Sequence, residues 1–157
     1  MNGKIVTGGI VLTALAAGAA LYYLQVYAYY GPVNVSSPAA VMRLTGLNGT
    51  EEPMLTEDFQ GIDADSSPLR FRGCFTTPTS LATLTETYRI YETPTPLVAP
   101  GWFSCFDAAR IDADLQTGAA LAFLSEPDIH PGVDRVIAVY PDGRAFAWHQ
   151  LNQSADE

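Results

Sequence analysis

Between Lys4 and Arg43 the chain carries no charged side chain, and within that gap Ile5–Leu24 is almost wholly apolar. A helix rising about 1.5 Å per residue over such a stretch covers the roughly 30 Å hydrocarbon core of a bilayer. This segment fixes where the protein resides and which way it points. Lys4 and the amino terminus are the only positive charges near its start, which favours a cytoplasmic N-terminus. The far flank is a collar of Tyr22, Tyr23, Tyr27, Tyr29 and Tyr30, whose apolar rings and polar hydroxyls suit the headgroup layer. Gly31-Pro32 then stops the helix.

The expectation is an uncleaved signal anchor over residues 1–30. It crosses the inner membrane once, with the C-terminal domain periplasmic. A cleaved leader is the rival, but Ala14-Leu15-Ala16 and Ala17-Gly18-Ala19 lie inside the apolar run rather than after it. Gly9, Thr13, Ala16, Ala17 and Ala20 fall in one sector of the helix. Small residues so spaced let two helix backbones approach closely, so this sector is the expected contact with another integral membrane protein.

About 120 residues remain outside the membrane, enough for one domain with a modest core. Their net charge is 7 − 17 = −10, from seven Arg and all 17 acidic residues. That balance argues against nucleic acid and against docking on anionic headgroups. Cys74 and Cys105 are the only cysteines, and the expected topology puts them on the oxidising side, where an even pair forms a disulfide. Copper binding by two reduced thiols with a histidine is the alternative. CxxC and CxxCH spacings are both absent.

The pattern along the chain is that of a small α+β domain over 41–151, after a polar connector at 31–40 and before a polar tail at 152–157. Val41–Thr45 reads as a short strand, followed by a turn at Gly46–Gly49 and an acidic stretch over Glu51–Asp65. Leu69–Phe75 reads as a strand, with Arg70 and Arg72 on a shared face that suits a carboxylate or phosphate. Leu81, Leu84, Tyr88 and Tyr91 have helical spacing within Pro78–Tyr91, with Thr79 or Ser80 as N-cap. Thr93–Gly101 holds Pro94, Pro96 and Pro100 and reads as extended loop. Asp107 caps a helix from Ala108 to about Gln116, ended by Gly118. Ala119–Leu124 is ambiguous between strand and helix. Val133–Tyr140 and Ala145–Leu151 flank Pro141-Asp-Gly-Arg144, the signature of a β-hairpin.

No catalytic motif is present: there is no G-x-S-x-G, no H-E-x-x-H and no nucleotide-binding glycine pattern. Asp63-Ala-Asp65 lacks the glycine and glutamate of an EF-hand loop. His130 and His149 are the only histidines, and their spacing with Asp128 or Asp134 demands no metal. Trp102, Phe103 and Phe106 have two readings. They form a partner surface, with Trp102 and Phe103 foremost, or they pack as core around the cysteines.

The start Met1-Asn-Gly-Lys-Ile-Val6, the collar Tyr22-Tyr-Leu-Gln-Val-Tyr27 and the closing Val139-Tyr-Pro-Asp-Gly-Arg-Ala-Phe-Ala-Trp-His-Gln150 together resemble a family of small alphaproteobacterial membrane-anchored proteins of unknown function. Some members bear a histidine kinase label. This sequence does not support it, having neither nucleotide-binding glycine boxes nor a phosphoacceptor helix. The resemblance implies the compartment and supplies no site residues. The resulting expectation is a non-enzymatic accessory or assembly subunit of an inner-membrane complex, of respiratory type, with no cofactor and no resident metal. The alternative is a periplasmic ligand- or metal-binding module using Cys74, Cys105 and a histidine.

Overall fold

A computed structural model describes residues 2–156 and divides the chain into a unit ending at Tyr30 and a unit beginning at Gly31. The first unit is helix α1 (Gly3–Tyr23), continued by one π-helical stretch over Leu24–Ala28. The Asn2 side chain caps it by accepting from the Lys4 N–H. At 21 residues, α1 is about 31 Å long. None of its residues is buried. Its length and composition are those of a membrane anchor or a signal sequence. Thr13 donates its hydroxyl to the Gly9 carbonyl at 2.9 Å, so the one polar side chain of the small-residue sector is satisfied within its own helix. The Tyr23 and Tyr27 rings stack with centroids 5.9 Å apart.

The second unit is built on a six-stranded antiparallel sheet in the order β1-β4-β5-β8-β7-β6. These strands are β1 (Gly31–Pro32), β4 (Glu57–Asp63), β5 (Arg72–Thr76), β6 (Leu121–His130), β7 (Val133–Val139) and β8 (Arg144–Leu151). β2 (Arg43–Thr45) and β3 (Glu51–Pro53) form a separate hairpin, and the helices are α2 (Leu81–Thr87) and α3 (Ala108–Thr117). The fold is α+β with a C-terminal hairpin, as the sequence pattern implies.

Side chains alternate across the strands, so the register sorts the core into two faces. On the first, Phe75, Ala147, Ile137, Val139 and Phe123 pack against Met42 and Leu44 of the hairpin segment and Leu84 of α2. On the second, Phe146 and Trp148 meet Phe106, with ring centroids at 6.1 and 6.4 Å, in the segment leading into α3. The sheet is therefore covered on both sides, and Trp148 is fully buried.

Local signals place α3 and the last hairpin. The Asp107 carboxylate accepts from the Arg110 N–H at 3.1 Å, and Gly118 closes the helix at φ 77°. Gly143 occupies the β7–β8 turn at φ 90°.

Elsewhere the structure departs from the sequence pattern. The connector expected at 31–40 is part of the domain. Gly31 and Pro32 pair with Asp63 and Ile62, Val33 N–H reaches Gly61 O at 2.8 Å, and Ala40 is buried. Half of the acidic stretch is β4, which β1 covers only at Ile62 and Asp63, so Glu57, Asp58 and Gln60 are exposed. The helix expected to Tyr91 stops at Thr87, because Tyr88 bridges Gly46 and Ile90 bridges Phe123. There, extended pairing with β6 outweighs helical spacing. From Leu121 the ambiguous run at 119–124 becomes β6, which continues to His130 through two bulges flanking Glu126.

Candidate functional site

Four groups of residues carry the chemistry of the domain, and three of them are internally closed. On the first face Arg135 and His149 lie opposite each other on β7 and β8. The Arg135 Nε–H donates to His149 Nε2 at 3.1 Å, and its Nη1 reaches Glu126 at 3.1 Å. A guanidinium only donates, so Nε2 is the unprotonated nitrogen and Nδ1–H donates to Pro68 O at 2.8 Å. The one in-plane lone pair, on Nε2, is thus engaged by Arg135 and not open to a metal. Burial first, and the Arg135 charge second, push the His149 pKa down to about 3. Phe71 stacks on His149 at 4.8 Å, with the Arg135 guanidinium 4.3 Å from the Phe71 ring centroid. His130 is exposed and meets the His149 ring edge-on at 5.8 Å. The two histidines therefore converge, but as a stack rather than a ligand pair.

A groove of about 720 Å³ runs beside Tyr88–Thr93. Its buried carboxylate, Asp134, accepts from Tyr91 Oη, from Asp128 N–H and from Asn152 Nδ2 at 2.9–3.0 Å. Burial and the Asp134 charge raise the Tyr91 pKa above its ordinary value. These polar groups satisfy one another. Among the described residues no three His, Cys, Asp or Glu side chains are grouped so as to hold a metal ion.

Cys74 and Cys105 are joined as a disulfide, with Cα atoms 6.3 Å apart. Cys74 shares the second face with Phe146, whereas His149 lies on the first. The sheet thus separates the cysteines from the buried histidine.

The fourth group is a surface. Arg72 opens β5 and is 3% exposed, and four backbone carbonyls accept from its guanidinium. It donates to Leu97 O at 2.8 Å, Val98 O at 3.1 Å, Leu69 O at 2.7 Å and Phe71 O at 2.6 Å. Arg70 lies before the strand, so the two arginines do not share a strand face. Buried Gln150 holds the same loop further along, through Thr93 O at 3.1 Å and Thr95 N–H at 2.8 Å. The disulfide fixes its far end. The Pro-rich loop Thr93–Gly101 is thereby a strap pinned over the second face.

The aromatic cluster divides at this strap. Phe103 and Phe106 are buried, while Trp102 is 42% exposed and Val98 is 81% exposed. A groove of about 380 Å³ beside them is lined by Val98, Ala99, Pro100, Phe103, Phe106 and Ala109, with Asp107 its ionisable residue. Trp102 is thus the part of the sequence-based partner surface that reaches solvent, and Phe103 supports it from below. Val98 was not singled out by the sequence. Its exposure depends on Arg72 and Gln150, which are distant in the chain, so no local pattern announces it.

Residues 41–157 match the model of a family described as a family of unknown function (DUF6446). No curated protein and no solved structure matches the chain.

Proposed function

On the premise that this chain belongs to the family of unknown function DUF6446, we propose that it is a non-enzymatic, membrane-anchored accessory or assembly subunit of an inner-membrane complex. In this reading α1 spans the membrane with its N-terminus cytoplasmic, the Gly31–Glu157 unit is periplasmic, and the small-residue sector of α1 packs on another integral membrane protein. One observation carries it. A buried arginine, a buried glutamine and a disulfide hold an irregular loop in place, while Val98 of that loop is exposed. Holding a partner-facing loop in one conformation reduces the entropy lost on association. Catalysis would instead call for convergent polar groups with free valences, and among the described residues the buried polar side chains all have hydrogen-bond partners.

The test is extraction of the full chain from its native membrane in mild detergent, followed by native electrophoresis and mass spectrometry. A reproducible, stoichiometric integral membrane partner supports the reading; migration as a free monomer refutes it. Alkaline phosphatase fused after Glu157 is active if the domain is periplasmic and inactive if the orientation is reversed.

A further inference from the structure

We infer that Asn48 is a modification site: its carboxamide condenses with the Gly49 amide to a succinimide, and the hairpin turn together with Thr50 keeps that reaction shut while the domain is folded. The bond that forms joins the Gly49 nitrogen to Asn48 Cγ. The bond that breaks releases the side-chain nitrogen, which leaves as ammonia with the proton from Gly49. Water then opens the ring at either carbonyl, so that aspartate or isoaspartate stands at position 48. Water is the only other reactant, and Leu47–Thr50 are all exposed to it. Glycine suits the second position because it has no Cβ to obstruct its own nitrogen.

The folded turn opposes each requirement of that chemistry. Leu47 and Asn48 both have negative φ, the Gly49 N–H donates to Gly46 O at 2.9 Å, and Gly49 stands at φ 84°. This is a type I turn followed by a left-handed glycine, and it joins β2 to β3. At the Asn48 position of such a turn ψ is about 0°. The Gly49 nitrogen then lies in line with the nitrogen of Asn48, whereas ring closure needs it in line with Cβ. That nitrogen must also give up its proton, which Gly46 O holds. The carboxamide is tied down as well: Asn48 Oδ1 accepts from Thr50 N–H at 3.0 Å and from Thr50 Oγ1 at 2.7 Å. It folds so far back that a Cβ on Gly46 would meet Oδ1 at 2.7 Å. Neighbouring elements clamp the turn, since Leu47 N–H donates to Thr87 O at 3.1 Å and Gly46 bridges Tyr88. These bonds must open before the reaction can start. Once it has run, isoaspartate routes the main chain through Cγ, and the added backbone atom displaces the bond from Gly46 N–H to Thr50 O in the hairpin that carries buried Leu44.

The experiment incubates the full chain in detergent micelles at one mildly alkaline pH, folded in one sample and unfolded by guanidinium chloride in the other. Peptide mapping by mass spectrometry follows position 48. The unfolded chain should convert at least about tenfold faster than the folded one and give both aspartate and isoaspartate. Asn34 and Asn152, followed by the larger Val35 and Gln153, should lag far behind Asn48 in the unfolded sample. Thr50→Val removes the hydroxyl donor and should speed conversion of the folded chain several-fold. Thr50→Ser should restore the slow rate, and neither substitution should change the unfolded rate. Equal rates in the folded and unfolded chain, no conversion of Asn48 in the unfolded chain, or a folded rate indifferent to Thr50→Val overturns the inference. The first comparison uses the unsubstituted chain, so it decides even if Thr50→Val fails to fold.

Discussion

Arg135 and His149 face each other across β7 and β8, and the guanidinium Nε–H of the first fixes the tautomer of the second. A protonated imidazole could not accept that hydrogen bond and would sit beside a buried positive charge. The neutral ring is therefore a condition of the folded state.

A pH dependence follows. The folded His149 pKa is pushed down to about 3 from an ordinary 6.5. Between those values the unfolded chain binds a proton that the folded chain refuses, so this contribution to stability is complete above pH 6.5, declines as pH falls, and levels off near pH 3. The full span amounts to a few kcal/mol, on the order of 1.4 kcal/mol per pKa unit. His149→Gln keeps an acceptor for Arg135 and does not titrate. Thermal unfolding at pH 7, 6, 5 and 4 should show a shallower decline for the variant; parallel curves would reject the assignment.

Arg72→Met removes the donors to four carbonyls and should destabilise the domain by about 3 kcal/mol or more. Arg72→Lys should rescue little, since a point-like ammonium cannot span the same fork. Denaturant titration measures the first effect. Limited proteolysis measures the second consequence, earlier cleavage within residues 93–101. An unchanged cleavage rate there would show that Arg72 does not pin the strap.

Replacing Cys74 and Cys105 together by Ala should cost about 3–4 kcal/mol, the chain-entropy value for a separation of 31 residues. Thiol titration of the denatured, unreduced protein should find no free thiol. Two reactive thiols per chain would mean that the bond does not form in the isolated protein.

Gly143→Ala should destabilise by about 2 kcal/mol. A side chain at φ 90° is strained, and its Cβ would lie 2.7 Å from the backbone oxygen of Thr77. Gly118→Ala meets no atom within 4 Å and bears only the conformational strain of φ 77°, so it should cost about 1 kcal/mol. Equal losses in denaturant titrations would show that the Thr77 contact contributes nothing.

The sequence was informative where the cause of a structure is local. Asp107 and Gly118 bound α3 because cap chemistry acts within a turn, and Pro141-Asp-Gly-Arg144 makes its hairpin for the same reason. It was silent where the cause is distant. Tyr88–Tyr91 has helical spacing and becomes extended only because β6 offers it partners. Strand β4 was hidden because its exposed first half needs no apolar residues. Arg72 resembled an anion-binding arginine, and only the folded chain brings Leu97 and Val98 to it. The convergence of His130 on His149 depends likewise on pairing, which periodicity does not encode.

The entry of the chain into the sheet has a mechanical consequence. Tyr29 and Tyr30 alone separate the last helical residue, Ala28, from the first paired one, Gly31. If α1 is an anchor, as proposed above, a tug on it would load β1 first, and β1 is two residues long. It would peel before longer strands give way, releasing Gly31–Ser37, a segment that spans at most about 25 Å when fully extended. Only then would tension reach the turn at Pro38–Ala40 and its buried alanine. In that proposed reading the short strand β1 would act as a shock absorber, yielding before the strap and the core.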